Sequence, residues 1–498
     1  MCDRERGWSA VPEPKASQLV KSAAKTVAGS KAKHVTVGAT AVGLALAAVV
    51  AVAAGPWDTS GQRKAEADRA ASSETGGGAD HGGAPEAAPR APVVLAAPGA
   101  AVPGPTKSAL ADVLDPLLKG SALGGRRTAA VVDAVTGKRL YGRSPGDTLT
   151  PASTTKLATA VAALSAAGPD HRIATRTALE KGSKKLILVG GGDPTLTARE
   201  KNPYGAADLG TLADETAKSL KKRDTIEVTL TYDTSLYSGP DIHPIGPNEN
   251  LARVTPLMAD EARTDDSDSG PATREGDPAA AAAKKFADLL GDRGIKIKGD
   301  PASGKASGKA VRLAKVSSPP LSALVERMLT HSDNDIAEAL ARQTAIAAGT
   351  SHDFDGAGKA VEKQLGKLRL PLKDTHFADG SGLDRADKVS ADLLTGLLAK
   401  AADPSRPELR SVLTGLPVAG FTGTLASRYE DAADASGTGL VRAKTGTLTG
   451  VNTLAGTVVD ADGRLLVFAF MTEGATDPKA AQSGLDRLAS SVANCGCR

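Results

Sequence analysis

The chain predicts an α+β fold, a mixed sheet flanked by helices and completed by the C-terminus. Three observations lead there. Strand-like runs stand at both ends of the folded part with helical runs between them, so late strands must join a sheet begun early. Aromatics make up only 3% of residues against 41% hydrophobic overall, so cores must be packed from Ala, Leu and Val, which suits helices laid on a sheet. At 498 residues the chain is too long for one ordinary core, and two or more folded units are expected. The net charge of +4 is a weak bias for this size and argues for no nucleic-acid partner.

The N-terminal part reads as export and tethering. Residues 1–34 carry Arg4, Arg6, Lys15, Lys21, Lys25, Lys31 and Lys33 against Asp3, Glu5 and Glu13. Residues 35–54, VTVGATAVGLALAAVVAVAA, hold no charge; as a helix they would span about 30 Å, the thickness of a bilayer core. The stretch that follows has only Arg63, Lys64 and Arg69, and this Lys/Arg asymmetry puts residues 1–34 in the cytoplasm and the rest outside. A transmembrane anchor is expected, although Ala51-Val52-Ala53 also fits a cleavage site that would release a secreted form. Residues 55–107, rich in Ala, Gly, Pro and Glu, bury too little to offset ordering entropy and predict a disordered tether. Of Cys2, Cys495 and Cys497 none is central, so no disulfide framework or cysteine metal site is expected. Cys495 and Cys497 are expected as free or loosely paired thiols, because one intervening residue strains a ring.

Regular structure begins near Ser108, where SALADVLDPLLKG has helical spacing and a final Gly. RTAAVVDAVTGKRLYGR predicts two strands around a turn. TTKLATAVAALSAAG predicts a helix stopped by Gly168-Pro169. KKLILVGGGDP reads as a buried strand ending in a Gly-rich turn, and TIEVTLTYD as an alternating strand. Residues 284–290 and 321–348 predict helices, with a Gly/Ser/Lys loop at 303–309 between them. LVRAKTGTL, VNTLAGTVVDADG and RLLVFAFMTEG supply the late strands, and 482–493 a closing helix.

Three short motifs carry chemistry. Ser153-Thr154-Thr155-Lys156 stands at a loop-to-helix start, and at i and i+3 the Ser and Lys share one helix face. A serine needs a neighbouring base before it attacks. Alone the motif is weak, since Ser22-Ala23-Ala24-Lys25 matches it too and an ordinary helix start explains most matches. Ser332-Asp333-Asn334 precedes a helical run and alone would read as a plain helix cap. Lys444-Thr445-Gly446-Thr447 ends the strand LVRA and alone would read as a strand and turn. Together, in this order, the three form the signature of penicillin-binding proteins and active-site serine β-lactamases.

That signature gives each residue an expected role. Ser153 would attack a carbonyl and become acylated. Lys156 would be its base, held neutral by repulsion from Lys444. Ser332 would pass a proton to the departing amine, and Asn334 would hold the substrate amide. Lys444, Thr445 and Thr447 would bind a terminal carboxylate, with Gly446 letting substrate approach the strand edge. The N–H groups of Ser153 and Thr447 would form the oxyanion hole.

With those residues placed, the chain resembles the D-alanyl-D-alanine carboxypeptidase/endopeptidase family of low-molecular-mass penicillin-binding proteins. The likeness rests on VVDAVTGKRLY, TPASTTKLATA, LVGGGDPTL, HSDNDIAEAL, DGSGLDR, LPVAGFTGTLASR and RAKTGTLTG. It implies a penicillin-binding, β-lactamase-like catalytic domain over 108–172 and 315–498, interrupted at 173–314 by one or two small inserted domains. It further implies peptidoglycan stem peptides as substrate, β-lactam antibiotics as covalent inhibitors, a site facing the cell wall, and no metal or organic cofactor. The loop Asp379-Gly380-Ser381-Gly382-Leu383 belongs near the site on the same grounds, or is a tight structural turn.

Two rivals stand beside this. A β-lactamase would acylate in the same way, but the long separation of Ser153 from Ser332 argues against the compact class. A non-catalytic peptidoglycan-binding scaffold would have no need of complete motifs.

Overall fold

The protein was analysed as a computed structural model that describes residues 104–202, 204–431 and 434–496. The expected anchor and the first 49 positions of the expected tether lie outside the described residues. Among the described residues no helix is long and apolar enough to cross a membrane.

Helix α1 (Lys107–Leu118) opens the fold, its first turn capped by Thr106, whose side chain accepts from the Ala109 N–H. Strands β1 (Arg126–Asp133) and β2 (Arg139–Arg143) follow as a hairpin, then the short β3 (Thr148–Leu149) and helix α2 (Thr155–Ala167). Three late strands, β11 (Arg442–Leu448), β12 (Val451–Val459) and β13 (Leu465–Glu473), complete a sheet of order β11-β12-β13-β1-β2. Every neighbouring pair in it is antiparallel, with Arg126 opposite Glu473 and Lys444 opposite Ala455.

Period-two side-chain alternation gives this sheet two apolar faces. Val467, Ala469 and Met471 of β13 join one core with α2, α5 (Leu321–His331), α6 (Asn334–Ala348), α7 (Phe354–Lys367) and α8 (Ala391–Ala402). Leu466, Phe468 and Phe470 face a second core, built with α1 and the last helix (Pro478–Ala493). The core is mostly Ala, Leu and Val, and its few rings are used centrally, with Phe468 and Phe470 stacked at 5.2 Å.

Between α2 and α5 the chain builds a second sheet. Its strands are β4 (Ala174–Leu179), β5 (Lys185–Val189), β6 (Glu227–Asp233), β7 (Lys296–Ile297), β8 (Ala302–Ser303) and β9 (Val311–Ser317). Here parallel and antiparallel pairs mix, β5 and β6 being parallel. Helices α3 (Leu209–Lys221) and α4 (Pro278–Asp292) cover it with a core of their own. The first and last strands of this sheet pair, Ala174 opposite Ser317, so the excursion leaves and re-enters the catalytic part at one place. The long segment between β6 and α4 has almost no regular structure.

Three sequence expectations change. The helix expected at 284–290 starts at Pro278, because Asp277 caps it by accepting from the Ala280 N–H. The helical run 321–348 is two helices, broken where Ser332 adopts a left-handed φ of 58°. Cys495, expected as a free or loosely paired thiol, is disulfide-bonded and lies buried in the second core. The remaining described strand and α-helix are the short β10 (Val389–Ser390) and α9 (Arg410–Thr414), which makes the closing helix α10.

Removing the Phe468 ring leaves a cavity the sheet cannot close. Phe468→Ala is expected to cost about 3–5 kcal/mol, read from the urea midpoint at unchanged m-value.

Candidate active site

Ser153 sits in a single 3-10 turn, Ala152–Thr154, that leads straight into α2. The turn is pinned from three sides. Thr453 of β12 donates to the Pro151 carbonyl at 2.8 Å, Thr154 Oγ1 donates to the same carbonyl at 2.7 Å, and Thr155 Oγ1 donates to Asp387 at 2.8 Å. This holds Ala152 at a φ of 48°, a strained conformation for a residue with a Cβ. Gly446 of β11 packs against the same turn: a Cβ there would stand 2.6 Å from the Pro151 oxygen and 3.1 Å from the Ser153 nitrogen. Its missing side chain makes room for the turn that carries Ser153.

One helical turn on, Lys156 is fully buried. Its Nζ lies 3.0 Å from Ser153 Oγ, 2.7 Å from Asn334 Oδ1 and 2.7 Å from the Ser381 carbonyl oxygen. Burial drives its pKa down to about 8, against the pull of the carboxylates of Asp379, Glu338, Asp333 and Asp387. Lys444, also fully buried, is pushed well below its ordinary value by burial and then by Lys156, so the two amines disfavour each other's charge while burial is the larger cause at both.

Ser332 and Asn334 reach the site because α5 ends and α6 begins between them. The left-handed Ser332 closes α5, and Asp333 caps α6 by accepting from the Ile336 N–H at 2.9 Å. The helix-cap reading of this motif therefore holds for Asp333, and its two neighbours are left to face the cleft. Lys444 Nζ donates to Ser332 Oγ at 2.8 Å, tying β11 to this loop. Lys444 lies within β11, not past the end of a strand, and β11 is the outer strand of its sheet. Thr445 Oγ1 donates to Thr424 Oγ1 at 2.9 Å, and the exposed Thr447 accepts from Gln482 Nε2 at 3.4 Å. Ser153, Lys156 and Asn334 thus form one hydrogen-bonded group and Ser332 with Lys444 another, joined by the short step from Ser332 to Asn334 and by the coupling of the two amines, with Thr445 and Thr447 following on β11.

Several partners were not singled out from the sequence. Asn334 Nδ2 donates to the Asn250 carbonyl at 2.9 Å, which fixes its amide so that Oδ1 faces Lys156. Glu338, one helical turn after Asn334, accepts from the N–H groups of Gly380 at 3.1 Å and Ser381 at 2.9 Å. Burial, then Asp379, pushes its carboxyl up to about 7. The i, i+4 spacing from Asn334 was the available signal for Glu338. The loop Asp379–Gly382 is both of the things its sequence allowed, a tight turn and a wall of the site. Gly382, at a φ of 82°, lies so close to Ala152 that any Cβ would collide with its carbonyl.

Two buried groups bring metal-ligand atoms within 4.8 Å of one another, His243/Glu338/Asp379 and Glu261/Asp333/Asp335. Neither invites a cation. Asp379 and Glu338 accept backbone N–H groups on both their oxygens, and Arg263, Arg274 and Arg327 already supply positive charge to the second group.

The chain is 34% identical to Carboxypeptidase Rv3627c of Mycobacterium tuberculosis, across 83% of this chain and 90% of the relative. It is 35% identical to Carboxypeptidase DacB of Mycolicibacterium smegmatis, across 84% and 92%. The fold is similar to the crystal structure of penicillin binding protein 4 from Haemophilus influenzae, with a TM-score of 0.62 at 22% identity, covering 76% of this chain and 97% of that one. Residues 110–264 and 262–492 match the D-Ala-D-Ala carboxypeptidase 3 (S13) family, and the chain belongs to that family.

Proposed function

We propose that this chain is a serine D-alanyl-D-alanine carboxypeptidase that removes the last D-alanine from peptidoglycan stem peptides through an acyl-enzyme on Ser153. Family membership supports the reaction class. The observation that carries the assignment of residues is the Lys156 amine 3.0 Å from Ser153 Oγ.

A neutral Lys156 has two N–H groups and one lone pair. The N–H groups are directed to Asn334 Oδ1 and the Ser381 carbonyl, so the lone pair is left for the Ser153 hydroxyl. Ser153 Oγ attacks the penultimate D-alanine carbonyl while its proton passes to Lys156. The N–H groups of Ser153 and Thr447 stabilise the oxyanion. Ser332, held by Lys444, relays the proton that Lys156 took to the amine of the departing D-alanine as the C–N bond breaks, which leaves Lys156 neutral again. Water then attacks the ester, Lys156 takes its proton and returns it to Ser153 Oγ as the ester C–O bond breaks, and the free acid leaves. Lys444 with Thr445 and Thr447 holds the substrate's terminal carboxylate, whose arrival favours the charged form of the depressed Lys444. Asn334 holds the substrate amide. The same acyl-enzyme serves a D-alanyl cross-link when the leaving amine belongs to a neighbouring stem, and a β-lactam is trapped as the covalent adduct.

Incubation with a pentapeptide ending in D-Ala-D-Ala should release free D-alanine, and penicillin should add its mass to the peptide containing Ser153. Ser153→Ala should lower D-alanine release by about 10⁴-fold or more and abolish the adduct. Covalent trapping that survives in this variant sinks the assignment. The base must be neutral, and Lys156 loses its proton as pH rises through about 8. The acylation rate should therefore climb across that value, and Lys156→Arg, charged at every accessible pH, should lose about 10²–10⁴-fold.

We further infer that residues 35–54 anchor the chain in a bacterial cell membrane, with residues 1–34 cytoplasmic and the catalytic part facing the cell wall. The charge-free run and its basic leading flank support this. Membrane fractionation with mass spectrometry of the mature N-terminus tests it. Recovery of peptides from 1–34 in the membrane fraction is the expected result, and a mature chain beginning near Ala53 points to secretion.

A further inference from the structure

The segment between β6 and α4 leaves the second sheet and comes back to the catalytic centre. Several of its groups touch that centre. The Asn250 carbonyl accepts from Asn334 Nδ2, the Ala252 N–H and Arg274 donate to Asp335 at 2.9 Å and 2.8 Å, and His243 Nε2 stands 3.0 Å from Asp379 Oδ2. The last contact joins side chains that are 2% and 0% exposed, so water cannot take the place of either partner.

Asp379 does more than pair with His243. Its Oδ1 accepts from the Ser381 N–H at 3.0 Å and the Gly382 N–H at 2.5 Å, and its Oδ2 accepts from the Asp384 N–H at 2.7 Å. Those bonds shape the turn that presents the Ser381 carbonyl to Lys156. His243 is itself held. The Ile245 N–H donates to Nδ1 at 3.3 Å, which leaves the ring proton on Nε2 facing Asp379. The Phe354 ring packs against it edge-on, with centroids 5.1 Å apart.

We propose that His243 is a positioning residue of the catalytic centre, supplied from outside the catalytic sheet: by donating to Asp379 it fixes the turn whose Ser381 carbonyl orients the Lys156 amine toward Ser153. The argument is directional. An amine with one lone pair presents it to Ser153 only while both its N–H groups are engaged, and one of the two acceptors is the Ser381 carbonyl. Loosening the Asp379 turn frees the amine to rotate without disturbing the carboxylate-binding residues of β11. The proposal rests on the reading of Lys156 as the base for Ser153.

The test compares side chains of matched length in the full-length protein. His243→Gln keeps an N–H at nearly the same reach, and His243→Met keeps the length without a donor. Acylation by a fluorescent penicillin is followed at increasing concentration, giving a limiting rate and a half-saturating concentration, with the melting temperature recorded for each variant. The Met variant should lose about tenfold or more in limiting rate with half-saturation changed by less than about twofold, and Gln should stay within about threefold of wild type. If Met does not fold, His243→Asn, whose donor is too short to reach Asp379, should show the same drop. A Met or Asn variant that acylates at the wild-type rate overturns the proposal, as does a Gln variant as slow as Met. A wild-type protein that penicillin does not acylate removes the reading of Ser153 itself, and this proposal with it.

Discussion

The catalytic centre depends on burying one amine. Taking a lysine ammonium out of water costs several kcal/mol even after relaxation, and Lys156 has no exposure at all. Three acceptors and four surrounding carboxylates offset that cost without cancelling it, so its pKa settles at about 8 and not at a surface value. A drier pocket would leave the amine permanently neutral and unable to hold the proton it takes. A wetter or more acidic one would leave it permanently charged. The four carboxylates come from the α6 region and the loop before β10, and each is tied down by backbone N–H groups, by a hydroxyl or by a cap. The balance is set by geometry that several elements share.

The same elements hold the backbone in conformations it would not choose. Ala152 and Ser332 both lie in the left-handed region, one beside Ser153 and the other between α5 and α6. Such residues cost on the order of 1–3 kcal/mol each and persist only where their surroundings leave no alternative. Gly382 and Gly446 supply those surroundings for Ala152, since each presses backbone against the Ser153 turn at a distance no side chain allows. Tight packing of this kind explains how a centre made from four separate stretches of chain keeps its hydrogen bonds near 3 Å.

Much of this was legible. The three motifs named Ser153, Lys156, Ser332, Asn334 and Lys444, because chemistry constrains residue type and local spacing directly. The β1–β2 hairpin, α2 and the three late strands were legible from their periodicity. The split of 321–348 was legible in part: Ser332-Asp333-Asn334 could be read as a cap, and Asp333 is that cap, but the left-handed Ser332 that closes α5 leaves no mark in the pattern of apolar residues. Strand β4 and helices α3, α7 and α8 were passed over, although α3 and α8 carry leucines at helical spacing. Glu338 and Asp379 look like ordinary acidic residues until the fold brings them beneath Lys156.

By itself the sequence determined the three motifs, in what order along the chain they lie, and that Ser153 and Lys156 share a helix face, since these follow from residue type and from a spacing of three. Only the tertiary structure decided why the amine is acidic, what Gly446 makes room for, and that a segment beyond the catalytic sheet reaches back to brace it. Burial, long-range repulsion and the meeting of distant loops are properties of three-dimensional neighbours, and neighbours separated by 84 and 136 residues leave no local pattern to read.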